Sequence, residues 1–294
     1  MGKNDRKEKA ATGQIRDLGY RGYEGDRLAA SHNTYVLLRH GLSRAWASWF
    51  VRIWALVGLL VPAPIGFAYG FLASGLNVPD DPAVFLQAYF TVQTWLVVSI
   101  IALRIGATVI AEDRTHRAFQ FFLAKPVTAT QYMAGRAIAI AISIWAVFFI
   151  PSLIVLGLYG VVKSGTPDQG PIIGMATLAS LGYSAIAAIA IATISIGVSA
   201  ISRSRALTMT SWVGVFVVPH VLALLVQAIT RQDWLYLASI PGALSVVRDA
   251  LFGVEITSED VHLRWFHAAP VLALLCAGAG YLVVRRIRGV EVIT

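Results

Sequence analysis

The chain has 294 residues, of which 57% are hydrophobic and 14% are charged, and its formal net charge is +8. Its mean hydropathy is +0.68. Soluble domains carry roughly 25% charged residues, so this composition excludes an ordinary water-soluble fold. The positive charge does not indicate a nucleic-acid-binding protein, because the Lys and Arg residues lie between long apolar stretches rather than on a soluble face.

The chain begins with a polar, basic arm over residues 1–32. This arm lacks the apolar core and cleavage site of a signal peptide, so we expect it to be retained in the cytoplasm. The segment 33–48 then places Leu38 and Leu42 at helical spacing beside Arg39 and Arg44, with Trp46 close by. This pattern predicts a helix lying in the membrane interface. An extension of the first membrane span is the alternative.

Six apolar stretches are long enough to cross a bilayer, which takes about 20 residues of helix. They cover about 53–73, 84–110, 137–158, 172–200, 207–229 and 268–284. Continuous apolar runs of this length are not the alternating strands of a membrane barrel. The sequence therefore predicts an all-α integral membrane protein whose six transmembrane helices form one domain over 33–294.

The distribution of Lys and Arg predicts the orientation of the spans. Nineteen of these residues fall in the segment before the first stretch, the loops after the second and fourth stretches, and the C-terminal end. Four fall on the opposite side: Lys163, Arg231, Arg248 and Arg264. By the positive-inside rule, both chain ends are predicted to be cytoplasmic in a multi-pass protein of the inner membrane.

The outer loop 230–267 is the longest connection on the opposite side. Its middle is apolar but too short to cross the membrane. We expect a re-entrant or interfacial pair of short helices there, broken at Pro241 and Gly242.

The loop after the second stretch, residues 111–136, is long enough to carry a helix of its own. Phe119, Phe122 and Leu123 have the spacing of one apolar helix edge, and Pro126 ends the helix. Charged residues surround this edge: Glu112, Asp113, Arg114 and Arg117. The pattern predicts a short amphipathic helix that inserts into a groove of a soluble partner. A solvated basic surface is the alternative.

This loop resembles the permeases of type-2 ABC exporters. In that family an acidic residue opens the loop, an apolar helix leads to a proline, and a Gly-Lys or Gly-Arg pair follows nine residues later. Here Asp113 or Glu112, the Phe122–Leu123 pair, Pro126 and Gly135–Arg136 match that pattern. The chain departs from the family at Arg117 and Ala118, where the family usually has Gly-Thr. The six-span layout also agrees with the family.

The resemblance implies a coupling helix that docks on a separate ATP-binding subunit. It also implies a transporter of two permease chains, as a homodimer or related heterodimer, and two ATPase chains that hold ATP and Mg. The residues implied in coupling are Glu112, Asp113, Arg114, Arg117, Phe119, Phe122, Leu123, Pro126, Gly135 and Arg136. The sequence contains no G-x-x-x-x-G-K-[ST] phosphate-binding loop, so we do not expect this chain to hydrolyse ATP by that mechanism.

Polar residues in the second and fifth stretches are candidates for the translocation pathway, since those spans line it in the resembling family. They are Gln87, Thr91, Gln93, Thr94, Arg104, Thr208, Thr210 and His220. Arg104 could instead reach the interface or form an internal ion pair. The Ser and Thr side chains could bond backbone carbonyls, and His220 could form a hydrogen bond between helices.

The function predicted from these patterns together with the resemblance is a permease subunit of an ATP-driven exporter with no catalytic residue, metal site or cofactor of its own. Its predicted partners are the ATPase, a second permease chain and membrane lipid, and no nucleic acid. The single cysteine, Cys276, cannot form an intrachain disulfide.

The alternatives to an exporter permease are an ion-coupled transporter and a membrane assembly or scaffold protein. Both an ion-coupled site and an intramembrane enzyme call for acidic or paired catalytic groups in the spans, and the predicted stretches contain no such group.

Overall fold

The computed structural model describes residues 30–75, 81–115, 127–164, 169–202, 204–253 and 263–291. All the regular secondary structure of this part of the chain is helical. Six helices are long and apolar enough to cross a membrane: Trp49–Tyr69, Pro82–Thr115, Thr130–Val162, Gln169–Ile201, Arg205–Thr230 and Trp265–Arg286. We call these spans 1 to 6. Each overlaps a stretch predicted from the sequence, and the all-α class with six spans is confirmed.

Several spans are built from more than one helical element. The α-helices are α1 (Ala30–Ala47), α2 (Trp49–Leu60), α3 (Pro62–Gly75), α4 (Pro82–Val92), α5 (Ser99–Ile105), α6 (Val109–Thr115), α7 (Ala129–Val162), α8 (Gln169–Ile201), α9 (Arg205–Phe216), α10 (Val218–Thr230), α11 (Ile240–Phe252) and α12 (Trp265–Glu291).

Helix α1 is a separate helix and not an extension of span 1. It ends at Ala47, and Ser48 has extended backbone angles, φ −71° and ψ 117°, before α2 begins at Trp49. Helix α1 packs along α7. Its Tyr35 and Val36 side chains are exposed. A helix with basic residues and exposed apolar side chains suits the membrane interface, which is the position predicted from the sequence.

Span 4 lies at the centre of the bundle, where it packs against α7 and α12. It is the most buried of the six spans, and span 5 is the least buried. The reason lies in its many small residues, which allow close approach of neighbouring backbones. At Gly197, for example, an added Cβ would lie 2.6 Å from the Cβ of Ala279.

Span 2 is irregular at two places. A π-helical turn occupies Gln93–Val98, and a break separates α5, which ends at Ile105, from α6, which begins at Val109. Gly106 lies in this break against span 4, where an added Cβ would lie 2.8 Å from the Cβ of Ser195. A glycine is therefore required here for the two spans to approach each other.

Span 3 begins with a capping box formed by Thr128 and Gln131. The Gln131 backbone N–H donates to the Thr128 hydroxyl over 3.2 Å, and the Thr128 N–H donates to the Gln131 side chain over 3.1 Å. Two of the free donors at the helix start are thereby satisfied. This cap fixes the helix start at Ala129, between one and two turns before Gly135 and Arg136.

The segment between spans 5 and 6 contains the predicted pair of short helices, a 3₁₀ helix over Asp233–Ala238 and α11. The break between them falls at Ser239, whose hydroxyl caps α11 by accepting from the Gly242 N–H over 3.1 Å. Pro241 therefore lies in the first turn of α11, where a residue without a backbone N–H loses no helical hydrogen bond. The break predicted at Pro241 and Gly242 is thus wrong by two residues, since it falls at Ser239. Helix α11 packs against α12, α8 and α4.

Candidate functional site

A buried carboxylate lies where span 2 ends, at what we call the basic end of the bundle. Asp113 Oδ2 accepts from the Arg136 guanidinium at 2.8 Å and from the Tyr132 hydroxyl at 2.5 Å. Its other oxygen accepts from Arg44 at 2.9 Å. The side chains of Asp113 and Arg136 are 4% and 3% exposed. Buried charges are tolerated when they are paired and hydrogen-bonded, as they are here.

Glu112 forms a second, more exposed group of ion pairs beside Asp113. Arg44 reaches both acids, since its other terminal nitrogen lies 2.9 Å from Glu112. Arg104 and Arg205 both approach the second Glu112 oxygen, at 3.4 Å and 3.5 Å. The side chain of Arg104 thus forms an internal ion pair at the basic end, which is one of the two alternatives that the sequence left open.

These contacts connect four parts of the chain at the basic end: α1 through Arg44, span 2 through its two acids, span 3 through Arg136 and span 5 through Arg205. The end of span 4 joins them because Arg114 donates to the Ser202 carbonyl over 3.0 Å. The network therefore holds the ends of most of the spans in one arrangement.

His40 of α1 lies near this network without adding to its positive charge at neutral pH. Burial lowers the pKa of His40, and the positive charges of Arg136 and Arg44 lower it further. A histidine with a pKa below its ordinary value of about 6.5 is mostly neutral at pH 7.

The Gly135–Arg136 pair has two structural roles. An added Cβ on Gly135 would lie 2.6 Å from the Cβ of Leu37 and 3.2 Å from the Thr34 carbonyl oxygen. The absence of a side chain at Gly135 therefore lets α1 lie directly on span 3. Arg136, one residue later, is then placed to meet Asp113.

The predicted coupling residues fall into two groups. Glu112, Asp113, Gly135 and Arg136 lie together at the basic end, and Arg114 lies beside them. The residues of the predicted amphipathic edge and its end, Arg117, Phe119, Phe122, Leu123 and Pro126, lie outside the described residues.

The break in span 2 is stabilised by a serine from span 4. The Ser199 hydroxyl oxygen accepts from the backbone N–H groups of Ile110 and Ala111, over 3.0 Å and 3.1 Å. Both donors belong to the first turn of α6, whose N–H groups have no partner within their own helix. In a bilayer such groups must be satisfied by protein, and Ser199 does this for two of them.

We expect Ser199→Ala to destabilise the bundle by about 1–3 kcal/mol, because two buried N–H groups lose their acceptor. The midpoint of thermal unfolding of the purified protein in detergent measures this effect. Ser195→Ala is the matched control, since the Ser195 hydroxyl donates to the Ala192 carbonyl of its own helix and its removal frees no N–H group. Equal midpoints for the two variants would contradict the role given to Ser199.

A second polar cluster lies near the start of span 2, against α11. The Gln87 amide donates to Asp249 over 3.0 Å, and Arg248 contacts the Thr91 hydroxyl. Arg248 and Asp249 also pair with each other at 2.6 Å, and both side chains are 11% exposed. Of the predicted pathway residues, Gln87 and Thr91 are thus brought together with an ion pair of the outer loop.

The other predicted pathway residues are bonded within the bundle. The Gln93 amide donates to the Gly58 carbonyl over 2.8 Å and to the Tyr89 hydroxyl over 3.0 Å. The Thr94 hydroxyl donates to the Phe90 carbonyl over 2.7 Å. Both residues lie in the π-helical turn of span 2, a geometry that recurs at functional sites.

In span 5, Thr208 and Thr210 donate to carbonyls one turn earlier, at 2.8 Å and 3.2 Å. Thr208 is buried and Thr210 is exposed. His220 is buried, and its Nδ1 lies 2.8 Å from the Ser239 hydroxyl. It therefore forms a hydrogen bond between span 5 and the cap of α11, the packing alternative given for it from the sequence.

Several residues of these clusters are not among the predicted site residues, including Arg44, Tyr132, Arg205, Arg248 and Asp249. Tyr132 precedes Arg136 by one helical turn, and this spacing could have indicated that the two side chains share a partner. Arg248 and Asp249 are adjacent opposite charges within an apolar stretch, which was also a visible signal. Arg44 carried no such signal, because its partners lie 68 and 69 residues away in sequence.

Comparison with known proteins agrees with this architecture. No curated protein matches the chain. A family model described as ABC-2 family transporter protein matches residues 6–276, which is nearly the whole chain. The match includes the ion-pair network at the basic end and all of the spans except the second half of span 6. The chain therefore belongs to the ABC-2 family of membrane-spanning transporter permeases.

Proposed function

We propose that this protein is the permease subunit of an ATP-driven exporter. It moves a substrate across the cytoplasmic membrane, using ATP hydrolysed with Mg on a separate ATP-binding subunit. The family match supports a transporter permease, and ATP-binding partners are general in that family. Two ATPase subunits and a second permease chain, identical or related, complete the proposed transporter.

The observation that carries this proposal is the buried Asp113–Arg136 pair, at 2.8 Å. These two residues bracket the segment that contains the predicted coupling helix. The ion pair holds the two ends of that segment together and joins them to α1 and span 5 through Arg44 and Glu112. A partner that moves the segment would therefore act on several spans at once.

We place the basic end in the cytoplasm of an inner-membrane protein, with both chain ends on that side. The excess of Lys and Arg on this side of the spans supports this orientation. The proposed ATPase would then dock on the basic end.

We assign the opposite end of span 2 to the exit of the pathway. Gln87 and Thr91 contact the Arg248–Asp249 pair of α11 there. These contacts can be exchanged for contacts with a polar solute.

Co-purification tests the proposal. The tagged protein is solubilised from its native membrane, and the recovered chains are identified and assayed for ATPase activity. We expect a stoichiometric ATP-binding subunit with the unchanged chain. We expect at least tenfold lower recovery, a loss of about 1.4 kcal/mol, with Phe122→Asp and Leu123→Asp combined, because charges would replace the apolar docking edge.

The control variant exchanges the two side chains, with Phe122→Leu and Leu123→Phe, and keeps the apolar area. We expect it to retain the ATPase. Undiminished recovery with the two aspartates would contradict the coupling helix. A chain that purifies alone from native membranes would contradict the ATP-driven transporter and favour an ion-coupled transporter or a scaffold protein.

A further inference from the structure

A cavity of about 140 Å³ lies at the basic end between α1, span 2 and span 3. It is roughly ten times the ~15 Å³ that one water molecule requires, so it can hold a larger polar group. Its charged lining is Arg44, Arg104, Arg136 and Glu112. Ser48 and Thr108 add hydroxyl groups, and the rest of the wall is mainly apolar, including Ile105 and Ile140.

Among the residues that the structure describes, the positive charge around this cavity exceeds the negative charge. Four guanidinium groups, of Arg44, Arg104, Arg136 and Arg205, surround the two carboxylates of Glu112 and Asp113. Arg136 is matched by the buried Asp113, whereas Arg104 and Arg205 approach the same oxygen of Glu112 at 3.4 Å and 3.5 Å. A guanidinium carries five N–H donors, so a single shared oxygen leaves capacity for another acceptor.

The exposure of these side chains gives a ligand access to the cavity. Arg104 is 32% exposed and Arg44 is 43% exposed, whereas Arg136 is 3% exposed. The two accessible guanidinium groups therefore form the part of the site that an incoming anion can reach. Arg136 also lines the cavity, but its charge is neutralised by the Asp113 carboxylate.

We propose that this cavity binds the phosphate of an anionic phospholipid headgroup from the leaflet at the basic end. Arginine binds phosphate through paired N–H donors, and basic pockets between membrane helices bind anionic headgroups. The apolar part of the wall and the exposed Tyr35 and Val36 of α1 favour a lipid over a soluble anion. The proposal rests on the membrane location of the spans and does not require the ATPase partner.

Native mass spectrometry of the purified chain in detergent tests this proposal. The probes are dioleoylphosphatidylglycerol, which is anionic, and dioleoylphosphatidylcholine, which has the same acyl chains and no net charge. We expect one phosphatidylglycerol per chain, with about tenfold preference over phosphatidylcholine. We expect Arg104→Gln to weaken phosphatidylglycerol binding about fivefold, as expected for one basic side chain near a lipid surface, and to leave phosphatidylcholine binding unchanged.

Two further variants make the test specific. Arg52→Gln is the matched control, because Arg52 is an exposed arginine just past α1 that donates to the Ala47 carbonyl and does not line the cavity. We expect less than a twofold change for it. Glu112→Gln should strengthen phosphatidylglycerol binding, because it removes the carboxylate that competes for Arg104 and Arg205.

Equal phosphatidylglycerol affinity for the unchanged chain and Arg104→Gln would overturn the proposal. Equal weakening by Arg52→Gln would overturn it too, since it would indicate general surface attraction. Displacement of the lipid by millimolar inorganic phosphate would assign the cavity to a soluble anion instead. None of these lipid-binding measurements depends on recovery of the ATPase. The lipid site and the permease assignment are therefore tested independently.

Discussion

Asp113→Asn is expected to destabilise the protein by about 3–5 kcal/mol, the cost of removing one partner from a buried ion pair. Asp113 accepts from Arg136, Tyr132 and Arg44. An asparagine keeps the size of the side chain and removes its charge. The Arg136 guanidinium, which is 3% exposed, would then keep its charge without a carboxylate. Because the spans meet at this network, we also expect weaker packing of α1 against span 3.

Thermal unfolding in detergent measures the loss of stability, and limited proteolysis in α1 measures its release. Glu112→Gln is the matched control, because the Glu112 side chain is 16% exposed and its partners Arg44, Arg104 and Arg205 are partly exposed. Solvent-screened pairs contribute about 0–1 kcal/mol, so the control should change the unfolding midpoint little. Similar midpoints for the two variants would mean that burial does not set the strength of this network.

The double variant Asp113→Asn with Arg136→Gln separates pairing from packing. If the cost of Asp113→Asn comes from the isolated charge of Arg136, removing that charge as well should recover part of the stability. The two substitutions should therefore be non-additive by at least about 1 kcal/mol. Additive costs would indicate that Tyr132 and Arg44, rather than Arg136, account for the effect.

The sequence predicts the layout of this protein well because the bilayer limits the possibilities. A run of about 20 apolar residues has to be a helix, since its backbone groups find no water in the membrane. For the same reason α1 is predicted as a separate element, because its basic residues cannot lie in the hydrocarbon. The local motif around Asp113 and Gly135–Arg136 was also visible, because it is a short pattern of residue types.

The parts that could not be predicted depend on contacts between distant residues. Nothing in the sequence near Arg44 indicates that it bridges Glu112 and Asp113, because that contact needs α1 to lie on span 3. The break in span 2 is similar, since Gly106 is one glycine among several in apolar helices. Its role follows from the position of Ser195 on span 4, which only the packing of the two spans reveals.

Gly106→Ala is expected to destabilise the bundle by about 3 kcal/mol. The added Cβ would lie 2.8 Å from the Cβ of Ser195 and closer still to its hydroxyl oxygen, so spans 2 and 4 would have to separate. Overpacking of this kind costs about 1–3 kcal/mol. Separation would also lengthen the Ser199 hydrogen bonds to Ile110 and Ala111, one helical turn further along span 4, and each weakened buried bond adds to the cost.

A compensating substitution tests this explanation directly. Ser195→Gly removes the opposing Cβ and should cost about 1 kcal/mol alone, from the lower helix propensity of glycine. Combined with Gly106→Ala it should restore part of the stability, because the alanine then occupies the space that Ser195 leaves, although its Cβ would still lie 2.9 Å from the Ala102 carbonyl oxygen. Gly157→Ala is the control, since an added Cβ there meets nothing within 4 Å, and it should be neutral or slightly stabilising. Without rescue in the double variant, the cost of Gly106→Ala would have to come from the backbone of the break itself, and close approach of spans 2 and 4 would not be the reason for a glycine at this position.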